Sequence, residues 1–211
     1  MPFDIIIVGA GAAGLYTALC LPQHLRVALI SKDELKIGAS DWAQGGIAAA
    51  IAPTDSPDHH YQDTLKAGAG LCIPEAVRLL VDNAGESIQT LVQLGVKFDR
   101  QGEDLAPPLE AAHSRPRVLH AADTTGRAIV DTLTEQVLNR HNITVFSQAF
   151  ALKLDVHPET QHCQGVYLLQ DNQIRSLKAS AVILATGGGG QVFAQTTNPK
   201  VSTGDGVALA W

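Results

Sequence analysis

Short runs of β-branched and aliphatic residues recur along this chain, and most of them end at glycines or lead into helical periodicity. Ile5-Ile6-Ile7-Val8 is continuous rather than alternating, the pattern of a parallel strand covered on both faces. It runs into Gly9-x-Gly11-x-x-Gly14 and the helical stretch Leu15–Cys20, and a second strand-like run, Arg26–Ile30, follows. Ser56-Pro57 is a sound helix start, with Tyr61, Leu65 and Ala69 predicted on one face. Pro74 opens a helical pattern through Val77, Leu80 and Val81. Gly85 is expected to interrupt it before a second segment carrying Ile88, Leu91, Val92 and Leu94, closed by Gly95 as a C-cap. Thr124 or Thr125 would cap a helix whose Ile129, Leu133 and Val137 form one apolar stripe, leading into a third parallel strand at Ile143–Phe146. Ala149–Val156, Gly165–Leu169 and Ile174–Leu177 read as an antiparallel meander, with Gln170–Gln173 as its hairpin turn, and Ala181–Ala185 as a separate final parallel strand. The fold class expected from this order is α/β: a Rossmann-like nucleotide-binding domain with a parallel sheet and a small antiparallel β-meander insertion.

Composition narrows the function classes. Of 211 residues, 45% are hydrophobic and 17% charged, enough apolar surface for an ordered core. The net charge of −6, with no basic cluster, argues against nucleic acid as a partner. Cys20, Cys72 and Cys163 lie far apart without a CxxC pair, which argues against a disulfide framework, an iron-sulfur cluster or structural zinc, and fits a reducing compartment. No 18-residue apolar stretch or basic leader occurs, so the expectation is a cytoplasmic protein without a membrane span. Val207-Ala208-Leu209-Ala210-Trp211 is helical in character but lacks a cap or polar tail; either it docks elsewhere in the fold or the chain has been cut short.

The candidate chemistry gathers at the ends of the parallel strands. Gly9 would permit a tight turn, Gly11 the close approach of a diphosphate and Gly14 helix-to-strand packing. Ala12 and Ala13 between them would offer amides at a helix start. Where a dinucleotide site usually has a ribose-binding acid, Ser31-Lys32 stand instead. Ser31 can bond a ribose hydroxyl, but an ordinary NAD site is not what this pair suggests. In Gly38–Ala49 the glycines Gly45 and Gly46 beside Gln44 make a backbone that can approach a planar ring, or else a flexible loop; Trp42 reads equally as a cofactor wall or as core. Thr186 and the glycines from Gly187 follow the last strand, where parallel strands form a binding crevice. Asn198 and Asp205 lie further on, Asp205 as either a helix cap or a cofactor contact.

The irregular, polar stretch Arg100–Ser114 is the candidate substrate-facing segment. Glu110 can orient an amino group or assist proton movement and His113 can hydrogen-bond a carboxylate, although either can also simply brace the loop. No G-x-S-x-G elbow surrounds Ser114, so it is not read as a nucleophile. His59 and Asp63, four apart, lack a third metal ligand; no metal site is expected, and they are assigned to an exposed helical face.

Taken in order, Gly9–Gly14, Ala43-Gln44-Gly45-Gly46-Ile47-Ala48-Ala49, His113-Ser114, Leu119-His120-Ala121-Ala122-Asp123, Thr125-Gly126, Ala185-Thr186-Gly187-Gly188, Thr197-Asn198-Pro199 and Gly204-Asp205-Gly206 resemble the flavoprotein family of fumarate reductase and succinate dehydrogenase, most closely its L-aspartate oxidase branch. That resemblance covers nearly the whole chain. It implies FAD as cofactor and oxidation of L-aspartate to iminoaspartate in NAD biosynthesis, with hydride loss from the substrate's alpha carbon to the flavin. Oxygen or fumarate would be the electron acceptor, and the imine would pass to quinolinate synthase. It also implies that Gly9, Gly11 and Gly14 approach the ADP part, that Ser31 and Lys32 lie near its ribose, and that the Ala149 backbone lies near adenine. Ser40 with Gln44, Gly45 and Gly46 would address the flavin, and Glu110, His113 and Ser114 the substrate, L-aspartate or another dicarboxylate. Two departures stand out: Ala111-Ala112 replace the usual two glycines, and Ala39 replaces the histidine of relatives with covalent flavin, so FAD is expected to be noncovalent. The resemblance makes residues 1–211 the N-terminal portion of a FAD-binding domain, with a capping domain, a helical C-terminal domain and the substrate clamp expected after Trp211. Succinate/fumarate oxidoreduction and a catalytically silent flavin-binding or interaction module are the alternative readings.

Overall fold

A computed structural model of the chain describes residues 2–105, 107–121 and 124–211. Along the chain come β1 (Phe3–Val8), α1 (Ala12–Cys20), β2 (Val27–Ile30), β3 (Ile47–Ala48), α2 (Pro57–Ala67) and α3 (Pro74–Gln93). They are followed by β4 (Arg100–Gln101), β5 (Asp104–Leu105), β6 (Val118–Leu119), α4 (Thr125–Leu138), β7 (Ile143–Phe146), β8 (Phe150–Val156), β9 (Cys163–Gln170), β10 (Gln173–Leu184) and α5 (Asp205–Ala210). These elements fall into two compact units, one of residues 1–42 with 130–211 and one of residues 43–129.

The first unit is built on a six-stranded sheet in the order β7-β2-β1-β10-β9-β8. β1 pairs in parallel with β2 and β10, and β2 with β7, so the first βαβ unit read from the sequence is present. All four residues of β2 are buried, as are Ile6, Ile7 and Val8 of β1; coverage of both faces is why these strands read as continuous apolar runs. Ile6, Val8, Ala28, Ile30, Ala151, Val166, Leu168 and Leu209 share one core, in which each fully buried aliphatic side chain contributes about 1.5–3 kcal/mol.

The meander and the last parallel strand are not separate, as the sequence suggested. Gln173–Lys178 pair antiparallel with β9, and the same strand continues as Ala179–Leu184, pairing in parallel with β1. Ala179 and Ser180 carry side chains that do not break extension, so one 12-residue strand serves two neighbours. The hairpin before it turns on Asp171 and Asn172, both at positive φ (51° and 58°), the two-residue geometry that suits the twist of paired strands.

In the second unit α2 starts as its sequence dictates: Ser56 Oγ accepts the His59 N–H (3.2 Å) with Pro57 in the first turn. The helix stops before Ala69, which adopts a left-handed φ of 49°, so Ala69 does not belong to its face. Gly85 does not divide α3, which runs unbroken over 20 residues and buries Val77, Val81, Ile88 and Leu91. A mid-helix glycine costs only about 1 kcal/mol, less than the packing of that stripe supplies. At its end Gly95 takes φ 107°, its N–H bonding the Val92 carbonyl while the Val96 N–H bonds that of Leu91, so orphan carbonyls of the last turn are satisfied. β3 pairs antiparallel with β6, and β4 with β5. In α4 the stripe Ile129, Leu133 and Val137 is buried as read, and Thr125 Oγ1 accepts the N–H of Ala121 (3.1 Å).

Candidate functional site

β2 and β7 lie to one side of β1 and β10 to the other, so the strand order reverses between β1 and β10, and ligands of open parallel sheets sit at the carboxyl ends beside such a reversal. There the chain leaves β1 at Gly9 and β10 at Ala185, and the Ala185 N–H still bonds the Val8 carbonyl (2.8 Å). A Cβ on Gly9 would run into the Ala185 carbonyl, and one on Gly14 into the Gly9 carbonyl; turn, helix and last strand meet as bare backbone.

A cavity of about 370 Å³ opens at this place. One wall is the Gly9–Gly11 turn with Ala13, a second is Ile30, Ser31, Lys32 and Ala149–Ala151, and a third is Ala185–Gly188 with Asn198, Asp205 and Leu209; Ser40 completes the rim. Most predicted cofactor residues therefore meet in one space: Gly9, Gly11, Ala13, Ser31, Lys32, Ser40, Ala149, Ala185, Thr186, Gly187, Asn198 and Asp205. Ala12 and Gly14 do not line it. The Ala12 N–H donates to Ser40 Oγ (3.1 Å), and Gly14 is turned onto Gly9 and the Ala185 methyl. Trp42 is 54% exposed and off the lining, hence neither core nor wall of this cavity.

Two charges at the rim, Lys32 and Asp205, pair with each other. Lys32 Nζ donates to Asp205 Oδ2 and to Thr203 Oγ1, both at 2.6 Å. Burial pushes the Asp205 carboxyl upward, but the hydrogen bonds from Lys32 and Thr203, with the ammonium charge, outweigh it and hold it below the usual carboxylate range. Asp205 is the first residue of α5 and lines the cavity, but the N-cap of that helix is Gly204 and no side chain caps it, so the helix cap expected of Asp205 is not what the structure has.

The remaining predicted site residues belong to the second unit. Gln44 and Gly45 are exposed and Gly46 is half-buried, a Cβ there meeting Val118 and the Leu119 carbonyl of β6. Glu110 bonds not His113 but His120, Oε1 to Nε2 at 2.6 Å, while the His113 N–H closes a turn onto the Glu110 carbonyl (3.2 Å). Ala122 and Asp123, part of the sequence motif after His120, lie outside the described residues.

Arg117 is the residue that sequence reasoning passed over. It is completely buried, its Nε and Nη2 held by the two carboxylate oxygens of Asp55 (2.8 and 2.9 Å) and its Nη1 donating to Asp63 Oδ2 (2.6 Å). The Ser114 N–H and Oγ–H converge on the same Asp63 oxygen, each at 2.7 Å, and His113 Nδ1 lies 3.4 Å from Arg117 Nη1. Burial alone would raise the Asp63 carboxyl; the hydrogen bonds from Ser114 and Arg117 and the guanidinium charge hold it instead at about 2. Asp63 is thus not part of an exposed, solvated face, which corrects the sequence expectation, although His59 is exposed as expected. Beside this network His60 is buried with its Nδ1 unpartnered; desolvation, then the Arg117 and His113 charges, lower its pKa. No group of three or more metal-ligating side chains is found among the described residues.

A family model described as FAD binding domain matches residues 4–211, and the chain belongs to that family. It matches the N-terminal FAD-binding portion of bacterial L-aspartate oxidases. It is 68% identical to the L-aspartate oxidase of a Synechocystis species over 99% of this chain and 38% of that protein, and 66% identical to that of a Nostoc species over 99% and 36%. Among solved structures, a variant of E. coli quinol fumarate reductase superposes with a TM-score of 0.92 at 30% identity, covering 100% of this chain and 37% of that one. The chain spans less than two fifths of the length of these curated relatives.

The residues present fit FAD. Gly187 and Gly188 line the cavity with nothing within 4 Å of a Cβ built on either, so any side chain there would occupy ligand space. Gly11 and Ala13 at the start of α1 line the same space, where the positive end of the helix dipole suits a diphosphate. FAD is the cofactor, held without a covalent bond.

Proposed function

We propose that this chain is the flavin-holding part of an enzyme that oxidises L-aspartate to iminoaspartate. The observation that carries the reading is the 66–68% identity along 99% of the chain to two L-aspartate oxidases, joined to a nucleotide-sized cavity at the sheet's reversal point. When bound, FAD supplies the two-electron acceptor. The chain's own residues bind and orient. The start of α1 at Gly11 and Ala13 neutralises diphosphate charge, Ser31 and the Ala149 backbone address the adenosine part, and Asn198 and Asp205 hold the opposite wall. Ser40 and the Gln44-Gly45-Gly46 backbone address the ring system. Glu110 accepts from the substrate ammonium and His113 hydrogen-bonds a substrate carboxylate, fixing the alpha C–H for removal. The electrons then pass to oxygen or fumarate, and a quinolinate synthase consumes the imine. A cytoplasmic setting suits the three free thiols Cys20, Cys72 and Cys163, and no described helix is long and apolar enough to cross a membrane.

The test is anaerobic. The FAD-loaded chain is mixed with L-aspartate or with succinate and the flavin's visible absorbance followed, with the imine trapped chemically. Bleaching by L-aspartate with imine formation is the expected result. Bleaching by succinate alone would transfer the assignment to succinate/fumarate chemistry, and FAD retention without bleaching by either would leave a flavin-binding module.

A further inference from the structure

Asp63 accepts three hydrogen bonds on a single oxygen, from the Ser114 amide, the Ser114 hydroxyl and Arg117 Nη1. An ionised carboxylate has no proton to give, so in the 2.7 Å contact the Ser114 hydroxyl is the donor. A hydroxyl carries one proton only. Toward any third group Ser114 Oγ therefore offers lone pairs and nothing else.

This polarity is held firmly. Arg117, wholly buried and gripped on its other edge by both oxygens of Asp55, pins Asp63 so that the carboxylate cannot turn away from Ser114. Ser114 itself is exposed, and the turn from Glu110 to His113 sets a second acceptor, the Glu110 carboxylate, on the same short segment. An acceptor with no spare proton suits a primary ammonium, which has three donors, and opposes a carbonyl or carboxylate oxygen at Ser114.

We propose that Ser114 is a specificity-determining residue that selects an α-amino dicarboxylate over a plain dicarboxylate, with Asp63 and Arg117 as positioning residues that spend its proton. The inference rests on the functional reading above. It adds a residue outside the predicted catalytic pair, and a reason in proton bookkeeping for the choice between L-aspartate and succinate.

The test is binding, read apart from turnover. The FAD-loaded chain, labelled with nitrogen-15, is titrated with L-aspartate and with succinate, and affinities are taken from amide shifts around Ser114. The wild type should bind L-aspartate at least about tenfold more tightly than succinate, the scale expected when one ligand leaves a polar group unpaired. Ser114→Ala should remove most of that ratio through weaker L-aspartate binding, and Ser114→Thr should keep it. Asp63→Ala, which removes the acceptor and releases the hydroxyl proton, should lower the ratio although Ser114 remains. A purely structural role would not move a ratio in a folded Ser114→Ala variant. Equal affinities in the wild type, no L-aspartate shift, or an unchanged ratio in Ser114→Ala would overturn the proposal. Flavin bleaching by L-aspartate with that unchanged ratio would count against this inference alone, whereas an intact ratio without bleaching would count against the functional reading alone.

Discussion

The cavity of the first unit and the Arg117 network of the second are built from opposite materials. Around the cavity the working surface is main chain: Gly9, Gly11, Gly187 and Gly188, with Ala13, Ala149 and Ala185, and one charge pair, Lys32–Asp205, at the rim. Around Arg117 it is side chain: one guanidinium, two carboxylates, a hydroxyl and an imidazole, drawn from α2 and two loops. A backbone site works by leaving room, so its tolerance is limited by volume. A side-chain site works by matching charges out of water, so its tolerance is limited by pairing.

The contrast can be broken in four places, ordered by expected effect. Replacing Arg117 with Met, close in volume but uncharged, leaves the Asp55 and Asp63 carboxylates buried without their counter-ion. A loss of about 3–5 kcal/mol is expected in urea unfolding, and a loss under about 1 kcal/mol would show that the network is not electrostatically essential. Gly14→Val forces a side chain into the Gly9 carbonyl. The expected cost is about 3 kcal/mol, with FAD lost on gel filtration after reconstitution, and a variant that retains flavin would refute the close-approach argument.

The third test is pH. The hydrogen bonds from Ser114 and Arg117 hold the Asp63 carboxyl at about 2 in the folded chain, below the usual carboxylate range. Its pairing therefore stabilises fully above about pH 4, and that contribution fades as the pH falls toward 2. With a side chain 16% exposed to solvent, the effect is on the order of 1–2 kcal/mol. Because Asp55, Asp155 and Asp205 are also held low and act with the same sign, the measurement is the difference in acid unfolding between wild type and Asp63→Asn. That difference should shrink across this window. The smallest effect separates one kind of glycine from another: a Cβ on Gly85 of α3 meets nothing within 4 Å, so Gly85→Ala should raise stability by about 0.5–1 kcal/mol in thermal unfolding.

The first unit was largely legible because its determinants are local. Ile5–Val8, the glycine spacing, the helix after it and the run to Ile30 are contiguous, and their pairing in parallel follows from that order. Ser56-Pro57 and Gly95 announce helix ends through chemistry confined to one turn. Where sequence reading failed, a neighbour distant in the chain decided. Ala179–Ser180 looked like a gap between strands, but β1 on one side keeps the backbone extended into a single β10. Gly85 looked like a break, but buried Val81 and Ile88 on either side hold α3 together. Asp63 looked like a solvated helical residue because its partners, Ser114 and Arg117, lie 51 and 54 positions away.

The sequence by itself determined the strand-turn-helix of β1 and α1, the parallel pairing of β1 with β2, and the glycines around the cavity, since each depends on residues close together in the chain. Only the tertiary structure decided which carboxylate holds which donor: that Glu110 meets His120, that Asp63 spends the proton of Ser114, and that Arg117 is buried between two aspartates. Charges interact through space, and no spacing along the chain records which of many possible partners folding brings within 3 Å.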